Sequence, residues 1–347
     1  MIEEKKSPEN SDLTKTGKSG LIKEKAAGFE KFYKNSITGV GEDASVVKLD
    51  EKYAVFSSKL FIENVHFDLG YFPLKHLGYK CVAVTLSDIL AMNVIPTQLR
   101  VNIAVSNRFS KPAIDELMEG ITICCKIYKI DLIGLDISSS SVGLIISMEA
   151  VGQANNKTMV NRAGAGEKEL ICVSGDLGAA YTGLLLLERE KQVFKAHPDN
   201  QPDLSEFDYL IERQIKPEPR FDLIDALKKE EILPTSMIHV TDGLASALMN
   251  VCKASQKGCM VYENKIPVDT LTCNTLRDLK IVATTIALNG GEDYELLFTV
   301  KQEDFEKIQH IENVSIIGYI TEPEEGYMLI SNDEKVIELQ AQEFSGY

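Results

Sequence analysis

The chain has 347 residues, 44% of them hydrophobic, with 52 acidic against 37 basic residues for a formal charge of −15. That length suits two domains of about 150 residues each. The acidic balance, without a long basic block, argues against a nucleic-acid surface, and no run approaches the ~20 apolar residues of a membrane span. An acidic surface also suits a site that gathers divalent cations. The seven cysteines are an odd count with no CxxC spacing. They predict buried, reduced thiols and a cytoplasmic protein.

The opening stretch "MIEEKKSPENSDLTKTGKSG" is polar and charged. It predicts a disordered tail over residues 1–22 rather than a signal peptide. Residues 39–69 read as two strands, "ASVVKL" and "KYAVFSSKLFI". "LKHLGYKCVAVTLSDILAMN" has helical spacing, with Asp88 near its end, and "TQLRVNIAVS" alternates as a strand. "SKPAIDELMEGITICCKIYKI" predicts a helix with Ser110 as N-cap and Pro112 in its first turn. "DLIGLD" reads as a strand ending in a glycine-containing loop, and "VGLIISMEAVGQ" as another strand.

The turn-rich "NNKTMVNRAGAGEKE" marks a boundary, which divides the chain into residues 23–155 and 156–347. "LICVSGDLGAAYTGLLLLEREK" then predicts strand, glycine loop and helix. Two helices follow, broken at Pro217 and Pro219. "SMIHVTDGLASALMNVCKASQKG" predicts a strand, an acidic turn and a helix ending at Gly258. "ALNGGEDYELLFTV" predicts a glycine hinge, a cluster of acids and a buried strand; "NVSIIGYIT" is a further strand. The mixture of αβ units and antiparallel pairing argues an α+β protein in two halves.

Acids recur where strands are expected to end: Asp43 in "GVGEDA", Asp136 in "IGLDISSS" and Asp242 in "HVTDGLA", with Asp88 in "TLSD". Singly, each is explained by capping or turn formation. Together they form the kind of oxygen set that Mg²⁺ bound to phosphates requires, and neighbouring glycines let backbone N–H groups approach phosphate. No Walker A lysine, no protein-kinase motif set and no nucleophile elbow is present. The residues alone therefore point to a Mg-dependent phosphate or nucleotide enzyme.

Several ordered stretches resemble the thiamine-monophosphate kinases of the aminoimidazole ribonucleotide synthetase-like superfamily. They are "GVGEDASVV", "ENVHFDLGYFPLKHLGYKCVAVTLSDILAMN", "IGLDISSS", "NRAGA", "SGDLGAAYTGL", "KPEPR", "TDGL" and "GGEDYELLFTV", across residues 37–347. The resemblance implies an N-terminal α/β dimerisation domain, a C-terminal α+β domain and ATP in the cleft between them. It implies direct transfer of the ATP γ-phosphate onto thiamine monophosphate, giving thiamine diphosphate and ADP, in a homodimer. By the same resemblance Asp43, Ser57, Ser58, Asp88, Asp136 and Asp242 would hold Mg²⁺, directly or through water. Leu135, Asp136, Arg162 and Thr241 would meet the nucleotide, and His66, Glu292 and Phe344 the thiamine phosphate. No general base is expected, because the acceptor phosphate oxygen is already ionised.

The chain departs from the family pattern at four positions. Lys59 stands where a metal-bridging aspartate is expected, and His239 replaces a second acid. Leu135 replaces a glycine at the nucleotide, and Glu42 replaces an aspartate. The alternative readings are a catalytically impaired relative that still binds nucleotide or thiamine phosphate, and a superfamily enzyme with another ATP-dependent substrate.

Overall fold

The computed structural model describes residues 33–38, 44–155, 157–199 and 203–341. Its first sheet is built from β1 (Ser36–Thr38), β2 (Ser45–Leu49), β3 (Lys52–Ile62), β4 (Pro96–Val105), β5 (Asp131–Ser139) and β6 (Leu144–Ala154). The strand order is β1-β2-β3-β6-β4-β5. Only β4 and β5 run parallel, as they must when a helix crosses between them; the other pairs are antiparallel. β3 alternates apolar and polar residues, so Val55, Ser57, Lys59 and Phe61 share one face, while Phe56, Ser58 and Leu60 lie on the other.

Two helices cover the first of these faces: α1 (Leu74–Leu90) and α2 (Lys111–Tyr128). The Ser110 hydroxyl caps α2, accepting from Ala113 N at 3.4 Å. The helices cross at glycines. A methyl at Gly78 would land on Leu117 O, and one at Gly120 on Lys75 O. This close approach buries Leu77, Leu86, Ile89, Leu117 and Ile121 together with Leu99, Val101, Ile103 and Ile146 of the sheet. α1 is buried at every position from Leu77 to Leu90, because its remaining side meets the second half of the chain.

That half is a seven-stranded sheet of β7 (Leu170–Ser174), β8 (Ser236–His239), β9 (Gly258–Tyr262), β10 (Leu296–Val300), β11 (Val314–Thr321), β12 (Tyr327–Ile330) and β13 (Val336–Glu338). Its order is β13-β12-β9-β11-β7-β10-β8. The helices are α3 (Ala179–Ala196), α4 (Asp208–Ile215), α5 (Phe221–Lys229), α6 (Leu244–Ser255), α7 (Thr270–Asp278), α8 (Ala283–Asn289) and α9 (Phe305–Gln309). Ile171, Val173, Ile238 and Leu297 pack towards α6, while Cys172, Met237 and Phe298 pack towards α5 and α9. Leu90 and Ala91, at the end of α1, belong to that second cluster. The first half is thus plugged into the core of the second.

Two local expectations need correction. Gly134, Leu135 and Asp136 lie inside β5, not in a loop after it, because parallel pairing with β4 continues through Val105↔Ser139. α6 ends at Ser255, with Gln256 left-handed at its cap (φ 54°), and Gly258 opens β9 instead.

Gly120→Ala should cost about 2 kcal/mol or more by overpacking the helix crossing. Thermal unfolding checks this: the expected fall in Tm is ~4 °C or greater, and an unchanged Tm would mean that the crossing relaxes freely.

Candidate functional site

Asp88 lies in the last turn of α1, where no basic residue accompanies it. The helix dipole is negative at that end, so an unpaired carboxylate there is unfavourable. Its Oδ1 atom lies 3.1 Å from Lys59 Nζ on β3 and 3.1 Å from His239 Nε2 on β8. The Asp88 and His239 side chains are 4% and 6% exposed, while Lys59 retains 29%. The two residues that depart from the family pattern therefore meet on one oxygen of an acid that keeps to it. Ser57, on the same face of β3, donates to Thr85 O of α1 at 3.0 Å.

β8 runs into Thr241, whose hydroxyl donates to Asp242 at 3.0 Å. The next residue, Gly243, has φ 86° and opens α6. The segment 290–295 folds back against this turn: Glu292 N donates to Thr241 O at 2.7 Å and Tyr294 N to Val240 O at 2.9 Å. Gly291 is in the left-handed region (φ 81°), and any Cβ there would strike Thr241 O. Glu292 and Tyr294 are also left-handed, at φ 61° and 54°, a strained conformation for side chains of that size. The buried strand β10 follows and fixes the loop.

The Glu292 carboxylate has two side-chain partners, Lys80 and Gln214. Lys80 Nζ of α1 lies 2.8 Å from its Oε2 and also donates to Gln214 O at 2.7 Å; Gln214 Nε2 reaches the same carboxylate at 2.9 Å. Burial pushes the Glu292 carboxyl up, but the Lys80 charge and these hydrogen bonds outweigh it, and the nearby His66 adds to them. The net result lies below the usual carboxylate range. His66 is held by Ile62 N donating to its Nδ1 at 3.1 Å and by the edge of Phe61. Tyr294 is the common neighbour of the acids. Its phenol is pushed far up by burial and by the carboxylates of Glu292, Asp242 and Asp88.

A second layer supports the loop. Glu295 takes Arg213 at 2.9 Å and Arg220 at 2.6 Å, and Ser174 Oγ donates to it at 2.5 Å. Gly178 N donates to both oxygens of Asp293, at 3.1 and 3.0 Å. Burial pushes the Asp293 carboxyl up to about 7 against the pull of Arg213. The "KPEPR" stretch is a strap. Its Glu218 accepts from Tyr79 at 3.0 Å and from Tyr128, both in the first half, while Arg220 holds Glu295 in the second.

Of the expected site residues, Asp88, Asp242 and Glu292 gather around Tyr294, His66 lies near Glu292, and Thr241 is tied to Glu292 through its carbonyl. Ser58 and Asp136 do not lie on the same side of the sheet as Asp88. Ser58 alternates away from Ser57, and Asp136 pairs with Asn102, which points away from buried Val101 and Ile103. Leu135 is 49% exposed on the β5 edge. The Arg162 backbone lies at the C-terminal end of α6, with its carbonyl accepting from Ser255 Oγ at 3.5 Å. Asp43 and Phe344 lie outside the described residues. Lys80, Gln214 and Tyr294 were not anticipated, although Lys80 and Tyr294 sit inside stretches that carry the resemblance.

Among the described residues, no three His, Cys, Asp or Glu side chains stand close enough to hold a metal on their own. The exposed carboxylate of Asp242 fits a Mg²⁺ that draws its other oxygens from phosphate and water. Asp88, already faced by two basic groups, does not.

The family model for AIR synthase related protein, N-terminal domain, matches residues 41–154. The thiamine-monophosphate kinase of Buchnera aphidicola subsp. Schizaphis graminum is 32% identical over 310 residues, covering 88% of this chain and 91% of that one. The Bacillus subtilis thiamine-monophosphate kinase is 29% identical, with 89% and 93% covered. The solved structure of AaThiL complexed with AMPPCP and TMP superposes with a TM-score of 0.80 at 25% identity, over 94% of this chain and 96% of that one.

The raised Asp293 carboxyl gives a signed pH dependence. Between the ordinary value of 3.8 and about 7, the folded chain holds a proton that the unfolded chain has released. Stability therefore falls as pH rises through that window. Asp293→Asn should flatten this fall by an amount on the order of a few kcal/mol. Urea denaturation from about pH 4 to pH 8 reads it directly, and parallel profiles for the two proteins would refute the assignment.

Proposed function

The chain belongs to the thiamine-monophosphate kinase family, and from that membership we propose that it transfers the γ-phosphoryl group of ATP to thiamine monophosphate, giving thiamine diphosphate and ADP. The observation that carries this reading is the gathering of Asp88, Asp242 and Glu292 around Tyr294, with His66 near Glu292. A relative of the same fold, AaThiL, is solved with AMPPCP and TMP, which supports both substrate classes.

The chemistry suits the residues. An oxygen of the thiamine phosphate forms a bond to the γ-phosphorus as the bond from that phosphorus to the β–γ bridging oxygen breaks, and ADP leaves with the electron pair. The attacking oxygen carries no proton at neutral pH, so positioning and charge neutralisation account for the catalysis. Mg²⁺, which Asp242 would help to hold, would supply positive charge to the phosphates. Glu292, kept ionised by Lys80, presents a fixed carboxylate, which suits the cationic ring of thiamine better than its phosphate. His66 beside it offers a hydrogen bond to the phosphate.

The sheet layers at 36–154 and 170–338 correspond in this reading to the two domains, with the cleft between them. A homodimer is supported by the apolar face and edge of the first sheet, where, among the described residues, Phe56, Leu60, Ile133 and Ile137 are between 41% and 59% exposed. The cytoplasm is the implied compartment. The cysteines of the described residues are all free thiols, and no helix among those residues is long and apolar enough to cross a membrane.

The Asp88 pairings favour a second reading, in which the chain binds both ligands without transfer. Purified protein given ATP, Mg²⁺ and thiamine monophosphate should form thiamine diphosphate, identified by chromatography. In the same assay Glu292→Gln should raise KM for thiamine monophosphate roughly tenfold or more while leaving KM for ATP near its starting value. Binding of both ligands without product would establish the second reading instead.

A further inference from the structure

We propose that Lys59, seconded by His239, is a resident cation at Asp88 and takes the place of one divalent ion in the site. The inference rests on the kinase reading for its setting but not for its logic. Asp88 is a buried acid at the negative end of a buried helix, so some cation must compensate it. In this chain the compensation is covalently built in. Two basic nitrogens, from β3 and from β8, stand 3.1 Å from the same Oδ1.

An additional metal is disfavoured there. Mg²⁺ holds carboxylate oxygens at about 2.0–2.1 Å. An ion on Oδ1 would thus lie within about 5 Å of both nitrogens, with the Lys59 ammonium repelling it. Two of the expected oxygen ligands are also out of reach, since Asp136 and Ser58 lie across the sheet. Lys59 is the most exposed member of the trio, at 29%. Its ammonium can therefore offer remaining donors to an anion entering the cleft, as a point charge that a carboxylate–metal pair would otherwise supply.

Mn²⁺ binding measured by electron paramagnetic resonance, with the full chain and the non-hydrolysable nucleotide AMPPCP, tests this without reference to turnover. Lys59→Asp/His239→Asp should bind one Mn²⁺ more per chain than the native protein. The single Lys59→Asp variant serves if the double variant fails to fold, and it should move the count the same way. Lys59→Met should leave the count unchanged but lower AMPPCP affinity on the order of tenfold. Equal counts in the native and Asp-bearing proteins would overturn the proposal, as would unaltered nucleotide affinity in Lys59→Met. The phosphoryl-acceptor reading fails separately, by absence of thiamine diphosphate from native protein whose Mn²⁺ count behaves as stated.

Discussion

A carboxylate taken out of water must find a positive charge or a proton, and here part of that compensation crosses the boundary between the two halves. Glu292 of the second half is neutralised by Lys80 of the first. Asp88 of the first half receives His239 from the second, in addition to Lys59 of its own sheet. Asp68 of the first half is paired with Lys191 of the second. Lys80 is the deeply buried member of its pair, at 5% exposure, so removing Glu292 would strand its charge at a cost of up to about 3–5 kcal/mol. Two of the acids that would meet substrates, Asp88 and Glu292, therefore also help to lock the halves together. Preorganisation of the cleft and docking of the domains become one problem.

Packing makes these pairings possible. α1 is enclosed on every side, by its sheet, by α2 through the glycine crossing, and by the core of the second half through Leu90 and Ala91. A helix so enclosed has no freedom to shift Lys80 or Asp88. The strained loop at 290–295 meets it from the opposite side, tied to the β8 turn by backbone hydrogen bonds and to Arg213 and Arg220 through Glu295. The left-handed Glu292 and Tyr294 are sustained by that scaffold. The chain accepts local strain there in return for a carboxylate held against Lys80 of the first half.

Much of this was legible in the sequence because the signals are local. The alternation in "KYAVFSSKLFI", the Ser110 cap with Pro112, and the glycine hinge before an apolar run each report a few neighbouring residues, and each element formed where it was expected. Gly134 misled because a glycine within an edge strand looks the same as a glycine in a turn; only the ladder with β4 distinguishes them. Gly258 misled because Gln256 adopts the left-handed cap that glycine usually takes. The partner of Glu292 was not legible at all, since Lys80 is 212 residues away in the chain. Lys59 and His239 were recognisable as departures, but their meeting on one oxygen of Asp88 depends on a helix and on strands of two different sheets.

A double-mutant cycle on Lys80 and Glu292 tests cross-boundary neutralisation most directly, using Lys80→Met and Glu292→Gln with stability read by denaturant unfolding. The account predicts a coupling energy of about 2 kcal/mol or more, with the double variant recovering much of what Lys80→Met loses. Additivity within about 0.5 kcal/mol would contradict it, because the two charges would then be held independently of one another.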